Sequence, residues 1–398
     1  MNIDDIRQKE FPWTVDGRGV IYLNHASTGP MPERARAALA EANLLRSEPW
    51  RLTLDHQFGV LAHTRDLVAR LIGATPREIA VMTNTTHGIN LAARALPFRE
   101  GDVVLSVERE FPANVYPWMA LAETRGVTLR QLPCRERVPN EEDIVVALDD
   151  QRVRAVAVSW VGFEHGAKLD LIRIGTACRE RGVYFIVDGM QGIGADVLDV
   201  RQTPIDILAC GSQKWLLGPW GTGFVYVRSE LIPELRPQEV GWMAPRGTDD
   251  FSRLLDYDLT WRDDARRFEV VTLPYHDFWG MNASLELLHE VGAVEVSKRV
   301  FALADRIVAW AQSRSDIRLV TPAERSRRAG VVSIVPRDAA AVSARLTSAK
   351  VTHSLREGAI RLSPHFYQLP EEIDKALAAV DFAQTVKSGI ADERRNLR

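Results

Sequence analysis

The sequence predicts an α/β fold, with a large domain built on a mostly parallel sheet between helices and a smaller α+β domain after it. Three observations predict it. Short, almost wholly apolar runs such as Val183–Val187 and Ile205–Ala209 end abruptly in polar residues, as strands buried on both faces do. Stretches with helical spacing of apolar residues alternate with these runs. Finally, 398 residues exceed one usual domain, so two domains sharing one site is the natural expectation.

The elements follow in order. Val20–Leu23 is a short apolar run ending in Asn24-His25-Ala26-Ser27-Thr28-Gly29-Pro30, and a helix starts around Pro32. Helical periodicity over Phe58–Ile72 leads to the strand Ala80-Val81-Met82 and then to Thr83-Asn84-Thr85-Thr86-His87-Gly88. Ile89, Ala92, Ala93 and Leu96 share one face of a helix beginning near Thr86. Val103–Val107 and Ala155–Trp160 are further buried-type strands. From Ser229 to Asp264 the chain is rich in Pro, Gly, Trp and charge, which suggests a long excursion or a domain junction. Two amphipathic helices broken near Gly292 open the second domain near Met281. Strands follow at Val331–Val335 and Ala359–Leu362, then a helix at Pro370 and a loose polar tail at Asp392–Arg398.

Composition narrows the partners. A net charge of −3 provides no electrostatic case for nucleic acid or an anionic membrane. No apolar run approaches membrane-spanning length, and MNIDDIRQKEF has no signal design. Three cysteines, Cys134, Cys178 and Cys210, lack metal-type spacing, so a reduced cytoplasmic setting is expected.

The chemistry centres on two strand ends. In open α/β sheets the ligand crevice lies outside the carboxyl ends of the strands, and there the sequence sets Asp188 and, shortly after Ile205–Ala209, Lys214. Pyridoxal phosphate needs a lysine to hold its aldehyde as a Schiff base and an acid on its pyridine nitrogen. Asp188 and Lys214 suit those two tasks, and burial makes such a lysine a base. Taken singly, each has a plainer reading, as a helix cap and as one more surface lysine. Hydroxyls and amides at the helix start near Thr86 make a phosphate site, although a threonine pair there is also an ordinary cap.

Together, DGMQ and SQKWLLGPWGTGF resemble the signature of the class V aminotransferase family of fold-type I pyridoxal phosphate enzymes. That family includes cysteine desulfurases, selenocysteine lyases, isopenicillin N epimerase-like proteins and true aminotransferases. The resemblance runs from Tyr22 to about Ile373. It implies a large domain, 21–265, with a seven-stranded sheet, a small domain, 266–398, and an N-terminal segment, 1–20, packed on the small domain. It also implies a homodimer with shared active sites. TNTTHGINL matches the phosphate loop, with Thr86 as the main hydroxyl and Thr85 and His87 lending backbone amides. Phe111 takes the place of the residue stacked on the cofactor ring, where many members carry His; a core aromatic is the alternative. Gln191 matches the residue bonded to the phenolic oxygen. Ser212 and Gln213 precede Lys214 in the cofactor cradle, with Gln213 replacing a His phosphate donor. Thr272 corresponds to the residue that reaches the other subunit's phosphate. Arg361, in REGAIRLSPHFYQLPEEID, stands where an arginine grips the substrate's α-carboxylate, with Arg356 as second choice and pairing with Glu357 or a C-terminal acid as the alternative. Asn24 and His25 belong to a segment lining the substrate pocket. Phe163 or His165 could approach the ring, and Trp242, Tyr275 and His276 could line the side-chain pocket.

Residues of these types predict an amino-acid substrate that loses its α-proton to Lys214. Transamination, racemisation or epimerisation, and β- or γ-elimination all remain open to the same constellation. The family's desulfurases use a cysteine in the second domain, and none occurs after Cys210. An aminotransferase-like enzyme is therefore expected, with a C–S or C–Se lyase or an epimerase as the alternative. A cofactor-binding but inactive homodimer is a more remote one.

Overall fold

A computed structural model describes residues 2–381. Its centre is a seven-stranded sheet in the order Ile79–Met82, Gly223–Val227, Ile207–Gly211, Tyr184–Asp188, Val153–Ser159, Val103–Val107, Thr128–Leu132. Only Gly223–Val227 runs against its neighbours; the other pairings are parallel. The expected strands are present, shifted by one or two residues. Thr128–Leu132 has no counterpart in the sequence reading. It is an edge strand, TLRQL, with exposed and half-buried positions and no apolar run to announce it.

Helices cover both faces. The helix Thr85–Ala95 lies against Ile207–Gly211 so closely that a Cβ at Gly88 would come 2.6 Å from the Ala209 Cβ. Glycine is required there by the close approach. The helix Tyr275–Val291 packs on Glu33–Ser47 and Val60–Ile72. It is followed, across Gly292, by Ala293–Gln312, so the break expected near Gly292 is where the chain turns.

A second sheet is antiparallel, in the order Ser354–Arg356, Ala359–Leu362, Val332–Pro336, Ile317–Leu319. Ile21–Tyr22 pairs in parallel with Val351–Thr352. The opening helix Ile3–Glu10 is held to the same region, where Arg7 donates to the Tyr367 carbonyl at 2.9 Å and forms a buried ion pair with Glu372. A helix begins at 370 as expected. The tail Asp392–Arg398 lies outside the described residues. Between 229 and 264 the described chain has little regular structure and leaves Trp242, Leu255, Tyr257 and Leu259 exposed.

Candidate functional site

The parallel strands deliver their carboxyl ends to one edge of the large sheet, and a cavity of about 340 Å³ opens there. Asp188, the last residue of its strand, and Lys214, three residues past Gly211, both line it. Phe111, Ser159, Thr85 and Thr86 arrive from other strand ends, and Ala26, Ser27, Arg356 and Arg361 arrive from the second sheet's side. A larger cavity of about 760 Å³ lies between 135–140 and 318–327. It contains no lysine beside an acid, so the chemistry belongs to the smaller one.

Electrostatics single out the same pair. Burial pushes the Asp188 carboxyl up to about 6, against the pull of the Met190 amide and the Lys214 charge. The Met190 N–H donates to Asp188 Oδ1 at 2.8 Å. Burial brings the Lys214 amine down to about 8, despite Asp188, with Arg361 and Arg356 adding to the fall. Among the described residues the Lys214 ammonium makes no hydrogen bond; its Nζ sits 5.5 Å over the Phe111 ring. Phe111 is 43% exposed and forms a cavity wall, edge-on to Phe163, so it is not a core aromatic. Glu110, behind it, accepts from the Ser159 amide and hydroxyl.

Arg361 is buried and, among the described residues, has no acid partner. It donates to the Phe163 carbonyl and to the Ser27 hydroxyl, both at 2.6 Å, and among those residues its Nε is left without a partner. Burial brings its guanidinium down to about 10. Gln191 lines the cavity with its amide held from both sides. The Trp215 indole N–H donates to Oε1 at 2.9 Å, and Nε2 donates to the Ala26 carbonyl at 3.0 Å. An indole only donates and a carbonyl only accepts, which fixes the amide's orientation.

The other expected residues are variously placed. The Ser212 hydroxyl is directed into the hairpin, donating to the Pro219 carbonyl at 2.9 Å and bonding Thr222, away from the cavity. His87 lines a different cleft beside Glu239, and its amide is taken by the Asn84 side chain, which caps the helix at 2.9 Å. Thr85 is present, but its hydroxyl receives the Gly211 amide at 2.9 Å. Asn24 accepts from Ser354 at 2.6 Å, and His25 is buried between the Ser363 carbonyl and the Tyr367 hydroxyl. Both lie behind the wall, and their successors Ala26 and Ser27 face the cavity. Thr272, Tyr275 and His276 open on another cavity of about 470 Å³, and Trp242 packs on Phe58 and Phe251. His165 accepts from the Ala167 amide at 3.0 Å beside the site, and Phe163 reaches the cavity. Gln213, Thr86 and Arg356 line it as expected. Ser27, Ser159, Val161 and Met190 were missed. Ser27 is 334 positions from Arg361, and local pattern carries no signal for such a contact.

The profile of the aminotransferase class V family matches residues 21–363. The chain belongs to that family. An uncharacterized aminotransferase of Bacillus subtilis, YcbU, is 29% identical over 79% of the chain and 81% of its own length. The isopenicillin N epimerase of Streptomyces clavuligerus is 29% identical over 91% of the chain and 94% of its own. Among solved structures, the cystine C–S lyase C-DES in complex with cysteine persulfide superposes with a TM-score of 0.84. It does so at 24% identity, covering 93% of this chain and 99% of its own, and so shares the fold. With family membership come the fold-type I architecture, the pyridoxal 5′-phosphate cofactor and an amino-acid substrate. The cavity fits that cofactor. It offers a buried acid, a lysine amine that makes no hydrogen bond among the described residues and an aromatic wall, beside the amino terminus of the helix Thr85–Ala95.

Proposed function

We propose that the chain is a pyridoxal-phosphate aminotransferase in which Lys214 is both cofactor anchor and base, Asp188 the ring-nitrogen partner and Arg361 the α-carboxylate clamp. One observation carries this reading: the three side chains converge on one cavity, with no carboxylate paired to Arg361 among the described residues. When bound, pyridoxal phosphate supplies an aldehyde for the lysine and a ring that withdraws electrons from the substrate's α-carbon. Asp188 would supply a negative charge in a dry site and so keep a proton on the cofactor's ring nitrogen. Lys214, with a pKa near 8, is readily neutral and can take a proton from Cα and return it elsewhere. Arg361 holds the substrate carboxylate so that this proton is presented to the lysine. Thr86 and Gln213 would hold the phosphate with the amides of the helix start, and Phe111 would exclude water from one wall. Gln191, on the same wall, would hydrogen-bond the phenolic oxygen.

Transamination is preferred to persulfide chemistry because no cysteine follows Cys210 and none lines the cavity. The working unit is a homodimer. The exposed Trp242, Leu255, Tyr257 and Leu259, together with the cavity that holds Thr272, form a face for a second copy that brings Thr272 to the neighbouring phosphate. Three free thiols favour a cytoplasmic location; among the described residues no helix is long and apolar enough to cross a membrane.

The test is an amino-acid panel followed in the visible spectrum, with products assayed. Keto acid together with aminated cofactor supports transamination. Sulfide or ammonia with pyruvate establishes a lyase, and loss of optical activity an epimerase. A protein whose spectrum answers no amino acid overturns the proposal.

A further inference from the structure

The reading of Arg361 as the α-carboxylate clamp leaves a second guanidinium on the same cavity. Arg356 and Arg361 occupy neighbouring strands of one hairpin, where Ser354 pairs with Arg361 and Arg356 with Ala359. Side chains two apart on a strand share a face, so Arg356 and Ser354 lie on one side, and the partner Arg361 lies there too. Diagonal neighbours of this kind stand roughly 7–8 Å apart at the backbone, a spacing that long side chains can bridge onto a single small molecule. Both arginines line the cavity that holds Lys214.

The hairpin that carries Arg356 is fastened in place. Its tip turns through Glu357 and Gly358, both with positive φ. Arg137, from the large domain, donates to the Glu357 carbonyl at 2.8 Å and also grips the buried Glu164. Arg109 holds the other side of Glu164 through two bonds of 2.7 Å. The backbone of Arg356 is thus braced against the large sheet's loops, and its side chain has little to hold. Its one hydrogen bond goes to the adjacent Leu355 carbonyl at 3.2 Å, and among the described residues no carboxylate pairs with it.

A charge count of the cavity shows an imbalance. Lys214, Arg361 and Arg356 are cationic groups on its wall, and Asp188 is the carboxylate. The substrate's α-carboxylate answers Arg361, and the cofactor's phosphate is taken up at the helix start on the far side. Nothing in that inventory answers Arg356. We propose that Arg356 binds a second anionic group, so that the site selects α-amino acids with a short, acidic side chain (a carboxylate or a sulfinate) and the matching diacid keto partner. The diagonal spacing of Arg356 and Arg361, roughly 7–8 Å at the backbone, favours a short chain between the two anionic groups.

The experiment is calorimetric titration of the holoenzyme with succinate and with butyrate, four-carbon acids with two carboxylates and one. Succinate is expected to bind roughly tenfold or more tightly than butyrate, as a charge-assisted bond to a guanidinium allows. In Arg356→Gln, an exposed position whose change leaves packing intact, the gap should close through weaker succinate binding. Equal binding of the two acids by wild type, or a gap that survives Arg356→Gln, overturns the proposal. Both readouts are independent of turnover. A protein that answers neutral amino acids in the spectrum yet shows no succinate preference therefore loses this inference alone, and the aminotransferase reading stands.

Discussion

Asp188 is a buried carboxyl, and replacing it with asparagine should make the cofactor-free protein more stable at neutral pH. Its carboxyl has a pKa of 3.8 in an open chain and about 6 in the folded one, chiefly through burial. Between those values the folded chain retains a proton that the unfolded chain has released. Stability therefore falls as pH rises through that window and levels off above about 6. At about 1.4 kcal/mol per pH unit, the two-unit difference amounts to roughly 3 kcal/mol at pH 7. Asp188→Asn removes the charge and keeps an oxygen for the Met190 amide, bonded at 2.8 Å in the parent. Urea unfolding of both cofactor-free proteins, followed by tryptophan fluorescence from pH 4 to pH 7.5, measures the difference. The variant should match wild type near pH 4 and exceed it by roughly 2–3 kcal/mol at pH 7.5, while losing cofactor affinity. A gap that does not change with pH, or a variant no more stable at pH 7.5, would refute the assignment of a desolvated acid at this position.

Three further expectations concern the same region. The rate at which cofactor-free protein takes up pyridoxal phosphate should rise with pH and level off above about 8, the pKa to which burial lowers Lys214; stopped-flow absorbance measures it, and Lys214→Ala should never form the band. Arg361→Lys retains the charge but loses the two-armed grip, so kcat/KM should drop about 10- to 100-fold, mostly in KM, in steady-state assays of whichever amino acid proves best. Glu269 takes two bonds from buried Arg65, at 2.9 and 2.7 Å, and one from the Val81 amide at 3.0 Å. Breaking that pair with Glu269→Gln should cost about 3–5 kcal/mol, visible as a lower melting temperature with the pH profile of turnover unchanged.

The main sheet and its ligand edge were legible because buried strands are apolar along their whole length and stop at polar residues; Tyr184–Asp188 and Ile207–Gly211 are fully of that kind. Thr128–Leu132 was not, because an edge strand carries polar residues on its open side. Within the site, sequence located the segments better than the side chains. His25 and Ser27 sit in one stretch, yet one is buried against Tyr367 and the other meets Arg361. Ser212 and Lys214 are two apart, yet only the lysine faces the cavity. For His25 and Ser27 the direction is set by partners more than 300 positions away, and for Ser212 by its own hairpin at Pro219 and Thr222; neither periodicity nor motif encodes either.

Gln191 is clamped between an indole that can only give a hydrogen and a carbonyl that can only take one. Its amide is thereby held in one orientation at the cavity wall. Trp215, which does not line the cavity, thus shares with the Ala26 carbonyl the setting of a side chain that does. Exchanging that indole for a phenyl ring would strip Oε1 of its donor and leave the Ala26 carbonyl alone to hold the amide.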